Sequence, residues 1–316
     1  MQAPAAATAT FLLPARVRFG GQALPKEIAQ ALGRADRDDR EPGERAQLLR
    51  HFEVLPRGFP AAALTRAFDA NDATLGAWVR ADPAYVRPDL TGARLLASGD
   101  ALRLDAAEAE AFVSALRPSF GDAGMPIDAP RPARWYVRLP REAKLPPMAS
   151  PDDALGEDLF EHLPEGPEGR RWRALLSEAQ VILHQHPLNA ARVAAGKPPV
   201  NSLWFWGGSV LPDHVTTRHA HVQSDEVTLR ALAKAAGVEG TSTPPSGSAV
   251  RAGLFDLRAE RDLGILTSAW LQPALDAMRT GDLAAVHLDC EDGACFTLTR
   301  SHRWRFWRTP VAAIDA

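Results

Sequence analysis

The chain has 316 residues, of which 46% are hydrophobic and 24% are charged, and its formal net charge is −3. This length predicts one large domain or two smaller ones with a sizeable core, and the composition excludes a disordered chain. No run of about 18 apolar residues occurs, so no membrane span is expected. A slightly acidic chain is a poor general nucleic-acid binder, and nucleic acid is therefore not expected as a partner.

The N-terminus and the two cysteines bear on the cellular setting. The first ten residues carry no basic segment ahead of their apolar residues, so a secretory signal is not expected. Cys290 and Cys295 lack the C-x-x-C spacing and have no second pair, which argues against a disulfide framework or a zinc–thiolate site. We therefore expect a cytoplasmic protein.

The first third of the chain alternates between strand and helix patterns. Residues 10–13 are typical of a short buried strand, and a helix is expected from near Pro25, because proline suits the first turn. The run of mixed charge at 34–41 predicts a solvated loop. Two further helices are expected around 43–52 and 60–70.

The middle of the chain is rich in strand patterns. Asp105 followed by Glu108 has the pattern of a capping box, which predicts a helix that runs to about Leu116. Residues 140–169 are rich in proline, glycine and acidic side chains, which is typical of a long surface connection. Strands are predicted at residues 78–86, 93–97 and 134–139, with a turn at 89–92 between the first two.

The strongest helical pattern begins after Gly169, where apolar residues recur every three or four positions. Residues 200–206 then form a nearly continuous apolar run that ends at Gly207 and Gly208. Such a run is typical of a strand covered on both faces, as in a parallel sheet. Farther along, strands are predicted at 215–222, 249–257, 284–288 and 296–308, helices at 225–236 and 270–278, and a loop at 241–248.

The order of these elements predicts the fold class. Strand–helix alternation at both ends with a β-rich middle indicates an α/β fold, with a mostly parallel central sheet flanked by helices. A smaller α+β domain interrupts it. We assign residues 1–54 and 166–316 to the α/β core and residues 55–165 to the inserted domain.

The densest group of polar and aromatic side chains lies at residues 184–208. Ligands of open α/β sheets bind beyond the carboxyl ends of strands, and glycines there let the backbone approach a phosphate. Alternatively, Asn189 and Asn201 satisfy buried backbone groups and have no ligand. The candidate ligand-binding residues are His184, Asn189, Arg192, Asn201, Trp204, Trp206, Gly207 and Gly208.

A second group of residues offers metal ligands. His219 and His221 would point to one face of a strand, which is a workable metal geometry. His287 and Asp292 flank a predicted hairpin turn whose carboxylates could hold a divalent cation. No further ligand follows at a fixed offset, so we expect no cofactor, with manganese or zinc as the alternative. No P-loop, dinucleotide fingerprint or serine elbow occurs, and no catalytic residue is assigned.

The C-terminal run at 303–308 interleaves arginines with aromatic residues, as single-strand nucleic-acid sites do. On a strand, Trp304, Phe306 and Arg308 would share one side. Because the chain has no basic excess elsewhere, an amphipathic strand is the favoured interpretation, and a nucleic-acid-binding regulator is an alternative.

Residues 78–88, 184–208 and 306–308 together resemble the RpfE-type regulatory proteins of xanthomonads and related proteobacteria. The resemblance covers most of the chain and is most specific at 200–208. That family is in turn similar to archaeal-type cofactor-independent phosphoglycerate mutases of the alkaline phosphatase superfamily. The resemblance implies an alkaline-phosphatase-like core and a small phosphorylated metabolite or a protein as partner.

The chain departs from those mutases where their chemistry resides. Their first strand leads to an Asp and a Ser nucleophile that bind two metals, whereas here it leads to Pro14 and Ala15. Their late strand carries a His, an Asp and a second His, whereas here His287 and Asp292 are followed by Phe296. Two-metal phosphoryl transfer needs these ligands and the nucleophile. The sequence therefore predicts a non-catalytic protein with a regulatory or ligand-binding role.

An active enzyme is the main alternative. It would be a metal-dependent phosphoglycerate mutase or phosphatase that acts on a small phosphorylated metabolite. Its metal ligands would be rearranged onto His214, His219, His221 and Asp292.

Overall fold

The computed structural model describes residues 7–89, 92–242 and 250–314. The predicted turn at 89–92 and loop at 241–248 lie largely outside these ranges. The chain divides into two compact units, the first comprising Met1–Arg57 and His214–Ala316 and the second Gly58–Asp213. No helix in the described ranges is both long enough and apolar enough to cross a membrane.

The strands follow one another along the whole chain. They are β1 (Thr8–Leu13), β2 (Asp36–Asp39), β3 (Phe52–Leu55), β4 (Ala77–Pro88), β5 (Ala93–Ser98), β6 (Ile127–Arg131), β7 (Arg134–Leu139), β8 (Ser202–Ser209), β9 (His214–Thr217), β10 (Val222–Gln223), β11 (Gly240–Thr241), β12 (Gly253–Asp256), β13 (Ala285–Cys290) and β14 (Ala294–Thr299).

The α-helices are α1 (Lys26–Arg34), α2 (Glu44–Leu49), α3 (Ala61–Asp69), α4 (Ala106–Asp122), α5 (Pro151–Ala154), α6 (Gly166–His184), α7 (Leu188–Ala194), α8 (Val227–Ala235), α9 (Leu263–Ile265) and α10 (Gln272–Thr280). A π-helical segment, Leu266–Leu271, joins the last two. Short 3-10 helices lie at Arg16–Phe19, Ala73–Leu75, Gly99–Leu102, Leu159–His162 and Arg300–Trp304.

The first unit contains a seven-stranded sheet with the order β11-β10-β12-β1-β13-β14-β2. The first five of these strands run parallel to one another, and β14 is antiparallel to both of its neighbours, β13 and β2. Strand β1 lies near the centre, and Phe11 packs against Phe255 and Trp270 with ring centroids 5.3 and 6.3 Å away. The predicted α/β fold with a mostly parallel central sheet is therefore confirmed.

Two local predictions for the first unit are wrong. Residues 34–41 were expected to form a loop, but Asp36–Asp39 is an exposed edge strand paired with β14, and charged side chains are typical of such edges. Residues 296–308 were expected to form one strand. Strand β14 instead ends at Thr299, because its partner Ala285 is the first residue of β13 and no pairing remains beyond it.

The second unit is built on an antiparallel sheet. Strand β4 pairs with β5 and β7 along one edge and with β8 along the other. Helices α4 and α6 cover one face, where Trp172 packs on Phe205 with ring centroids 5.0 Å apart, and α3 covers the other face. The capping box of Asp105 and Glu108 is confirmed at the start of α4.

The predicted parallel strand at 200–206 is corrected by this sheet. Strand β8 is antiparallel to β4, and its apolar run arises because helices and loops cover both of its faces. Its pairing with β4 and its packing on α6 also bring β8 and α6 into the second unit. From the sequence, both elements are predicted to belong to the α/β core.

Candidate functional site

The carboxyl edge of the parallel strands in the first unit is where an α/β sheet normally binds its ligands. Strands β12, β1 and β13 run parallel there, with Asp256 as the last residue of β12 and Asp289 opposite Leu12 of β1. Asp292 follows in the turn between β13 and β14. We refer to Asp256, Asp289 and Asp292 as the acidic edge.

Asp289 is buried and is held by the end of α2. Arg50 donates from Nε and Nη2 to the two carboxylate oxygens of Asp289, at 2.9 and 2.6 Å. The Nε2 of His51 lies 2.8 Å from Oδ2 of Asp289. Burial alone would raise the pKa of Asp289, but the hydrogen bonds from Arg50 and His51 outweigh it and hold this pKa below its ordinary value.

Two more histidines, His219 and His287, lie near His51. The Nδ1 of His51 lies 3.2 Å from Nε2 of His219, and the Nδ1 of His287 lies 3.0 Å from the hydroxyl of Thr297. Burial, reinforced by the nearby His51, lowers the pKa of His219 to about 3, and burial also lowers the pKa of His287. Both imidazoles are therefore neutral at physiological pH.

Asp256 is neutralised in the same way by Arg258. The guanidinium donates from Nε and Nη2 to the two oxygens of Asp256, each at 2.8 Å, and from Nη1 to Glu44 at 2.6 Å. Ser224 donates a further hydrogen bond to Asp256 at 2.7 Å, and Glu226 lies 3.7 Å from the guanidinium. Burial opposes the ionised form, but these donors hold the pKa of Asp256 below its usual value.

The residues predicted as metal ligands do not converge. His219 contacts His51 and His287 contacts Thr297, whereas His221 is exposed and Asp292 accepts a hydrogen bond from Nε of Arg16 at 2.8 Å. Across the described ranges, no three His, Cys, Asp or Glu side chains are grouped so as to hold a metal ion.

The acidic edge does not fit the two divalent cations that the resemblance to the mutases implies. Each of its carboxylates is already neutralised by a guanidinium of the same chain, and arginine is not deprotonated in proteins. At the end of β1 the chain supplies Leu13 and Pro14, neither of which has a ligating side chain. The donor set is therefore that of an internal ion-pair network.

The sequence patterns do not point to Arg50, His51 or Arg258. Arg50 and His51 lie at the end of the helix predicted around residues 43–52, where nothing in the sequence indicates a partner. Their partners, however, are distant in sequence: Arg50 and Asp289 are separated by 239 residues. Only the parallel pairing of the strands brings them together.

In the second unit, the asparagines of the 184–208 block bond to the backbone. Asn189 donates to the carbonyl oxygens of Leu183 and Val200 at 2.8 and 2.9 Å and accepts from the amide of Val200 at 2.8 Å. Asn201 accepts from the amide of Val86 at 2.8 Å and donates to its carbonyl at 2.7 Å. These contacts close the turn between α7 and β8 and attach it to β4.

Arg192 is also occupied within the protein. Its buried guanidinium donates to Glu108 at 2.7 Å and to the carbonyl oxygens of Leu102 and Pro198. His184, by contrast, is exposed at the end of α6. Of these two predicted ligand residues, only His184 presents its side chain to solvent.

The two tryptophans of the block are two residues apart on β8 and lie on the face of the sheet opposite to α4 and α6. Trp204 donates to the carbonyl of Ala149 at 3.0 Å, and Trp206 donates to Asp82 at 2.7 Å. Asp82 also accepts two hydrogen bonds from Arg80, at 2.8 and 2.9 Å. Complete burial nevertheless raises the pKa of Asp82 above its ordinary value.

The glycine pair at the end of the block permits close packing. Gly207 has a φ of +65°, and a Cβ there would lie 3.0 Å from the Cβ of Ala61 on α3. A Cβ on Gly208 would lie 2.9 Å from Leu145 and 3.1 Å from Val79. Both glycines therefore let β8 approach its neighbours, and the ligand-binding role of the block stays a prediction.

Replacing Asn189 with alanine tests the structural role of this block. The variant should lose about 1–3 kcal/mol of unfolding free energy, because three buried backbone groups lose their partner. Urea denaturation of the full chain measures the loss, with the exposed Asn71→Ala as the matched control. A midpoint equal to that of the control would contradict the assignment.

The fold defines the class of the protein: an α/β protein with a mostly parallel central sheet. The chain is similar to 2,3-bisphosphoglycerate-independent phosphoglycerate mutases. It is 29% identical over 147 residues to the Methanosarcina mazei protein of that name and 29% identical over 149 residues to that of Methanosarcina acetivorans. Each alignment covers 46% of this chain and 34% of the relative, so the chain spans about a third of the length of the curated relatives it matches.

A solved structure also resembles the chain. The PH0037 protein from Pyrococcus horikoshii matches with a TM-score of 0.50 and 10% sequence identity, over 97% of this chain and 91% of that one. At this identity the match shows the fold alone. No protein-family model matches the sequence.

Proposed function

We propose that this protein is a non-catalytic relative of the phosphoglycerate mutases, of the RpfE type, with a regulatory or ligand-binding role. The observation that carries the proposal is the pairing of every carboxylate of the acidic edge with an arginine of the same chain. The resemblance at residues 78–88, 184–208 and 306–308 supports the RpfE-type assignment.

Two-metal phosphoryl transfer needs carboxylates and histidines that are open to cations, together with a positioned nucleophile. A guanidinium that donates two parallel hydrogen bonds to a carboxylate satisfies that group's charge and its geometry. A divalent cation would have to displace Arg258 or Arg50 and leave a permanent positive charge largely buried without its partner. That cost favours an ion-pair network over a metal centre.

The rest of the site agrees with this proposal. The end of β1 offers Leu13 and Pro14 in place of an acid or a hydroxyl nucleophile. The thiols of Cys290 and Cys295 are free, which supports a reducing, cytoplasmic setting. We propose a small phosphorylated metabolite or a protein partner as the species that the molecule recognises.

A turnover assay tests the proposal. The purified full chain is incubated with 3-phosphoglycerate in the presence of Mn²⁺, Mg²⁺ or Zn²⁺, and formation of 2-phosphoglycerate and of free phosphate is followed. The Methanosarcina mazei mutase serves as the positive control. We expect no turnover above that of an Asp292→Asn variant prepared in parallel. A trace activity that is equal in the two preparations comes from contaminating enzymes of the expression host.

Two outcomes separate the alternatives. Manganese-dependent turnover that disappears in Asp292→Asn would establish an active enzyme and overturn the proposal. A rise in the melting temperature with 3-phosphoglycerate but not with sulfate, without turnover, is the expected result for a metabolite-binding protein, since a ligand of the native state stabilises it.

A further inference from the structure

A cavity of about 320 Å³ lies in the first unit, on the side of the sheet occupied by α1 and α10. The end of β14 and the Arg300–Trp304 helix complete its walls. The α1 residues that line it lie at positions 27, 30, 31 and 34, which is the spacing of one helix face. Its volume falls within the range of about 300–1,000 Å³ that is typical of small-molecule sites.

This cavity is separate from the acidic edge. Strand β14 runs antiparallel to β13, and Thr299, which lines the cavity, pairs with Ala285 at the beginning of β13. Asp289 lies near the other end of the same strand. The cavity is therefore at the amino end of the parallel strands, opposite to the edge that the mutase resemblance concerns.

The rim of the cavity carries an excess of positive charge. Arg34, Arg300 and Arg303 line it together with one carboxylate, that of Glu27, and none of the three arginines forms an ion pair with another residue of the described ranges. Arg34 and Arg300 donate only to backbone carbonyl oxygens, those of Arg303 and Arg279 respectively. Three guanidinium groups that form no ion pair outnumber the single carboxylate of Glu27 around one cavity, and this excess of positive charge creates a potential that attracts an anion.

The wall between these arginines is apolar. Ala31 contributes from α1, Leu275 and Met278 contribute from α10, and Leu298 contributes from β14. A free phosphate would fill only the charged rim and leave this wall hydrated. A ligand that has both an anionic group and an apolar body would satisfy both surfaces.

We infer that this cavity binds a small amphipathic anion. Its phosphate or carboxylate group is held by Arg34, Arg300 and Arg303, and its ring or short alkyl body packs on Leu275 and Met278. Arginine suits this role because its planar guanidinium donates paired hydrogen bonds to such oxyanions. The inference is independent of whether the acidic edge supports turnover.

Calorimetric titration of the full chain with 1-naphthyl phosphate tests this inference. Arg300→Gln and Arg303→Gln should each weaken binding by roughly tenfold or more, because each removes a charge-assisted hydrogen bond. Ala31→Leu should weaken it by filling the apolar wall. The matched control is Arg45→Gln, an exposed arginine of the same unit outside the cavity, which should bind as the unmodified chain does.

The two halves of the ligand are tested separately. Inorganic phosphate and 1-naphthol should each bind at least roughly tenfold more weakly than 1-naphthyl phosphate. Comparison with 1-naphthoate distinguishes a phosphate from a carboxylate group, and tight binding of either supports the inference. Absence of binding, equal dissociation constants for Arg303→Gln and Arg45→Gln, or equal binding of inorganic phosphate would overturn it.

Discussion

Replacing Arg258 with leucine is expected to lower the free energy of unfolding by about 3–5 kcal/mol at neutral pH. The substitution removes the cation that Asp256, Glu44 and Glu226 share, and it leaves Asp256 buried with only the hydroxyl of Ser224 as a side-chain donor. An unpaired buried charge costs far more than the loss of a surface ion pair. Arg258 should therefore be among the most sensitive positions of the first unit.

The effect should depend on pH in a defined direction. With Arg258 present, the pKa of Asp256 is lowered, so its contribution to stability is present at neutral pH and is lost as the pH falls through the acid range. In Arg258→Leu, burial without the cation raises the pKa of Asp256. Protonation of Asp256 at lower pH then removes the unpaired buried charge. The stability difference between the two proteins should therefore shrink from neutral pH to about pH 5.

Urea denaturation at these two pH values measures the difference. Arg251→Leu, an exposed position just ahead of β12, is the matched control and should change the midpoint little. Adding Asp256→Asn to Arg258→Leu should recover part of the loss, because the uncompensated charge is then gone. A loss in Arg258→Leu no larger than in Arg251→Leu would show that the guanidinium is not needed at the acidic edge.

The features that the sequence predicted well are local ones. The capping box of Asp105 and Glu108 depends on residues three positions apart, and the strand–helix alternation that defines the α/β class is a repeated short-range pattern. Strand β8 shows the limit. Its continuous apolar run reports burial on both faces, which an antiparallel strand between two layers satisfies as well as a parallel one.

The candidate site was harder to predict for a related reason. The cluster of polar residues at 184–208 predicts a binding site. In the structure, however, Asn189 and Arg192 form hydrogen bonds with backbone groups at a buried turn. The acidic edge depends on partners far apart in sequence, such as Arg50 with Asp289, and no periodicity encodes such a pairing. The sequence did show that no acidic or hydroxyl side chain follows directly after β1.

The second large effect is expected in the other unit, at Asp69. Its side chain is fully buried at the end of α3, where it accepts two hydrogen bonds from Arg134 at 2.7 Å and one from Tyr136 at 2.8 Å. Burial would raise the pKa of Asp69, but these donors hold it below its ordinary value, so its contribution to stability is lost as the pH falls. Asp69→Asn keeps the shape and removes the charge.

Asp69→Asn should therefore lower the free energy of unfolding by about 3–5 kcal/mol at neutral pH, because Arg134 is left as a largely buried cation. Asp128→Asn is the matched control: its half-exposed carboxylate binds Arg66, which keeps Asp72 as a partner, so the loss should stay below about 1 kcal/mol. Urea denaturation midpoints measure both losses, and the dependence of the unfolding free energy on urea concentration should be the same for both variants. Since Arg134 and Tyr136 both belong to β7, equal midpoints for the two variants would mean that the contacts of Asp69 with β7 stabilise the second unit no more than the half-exposed pair of Asp128 and Arg66 does.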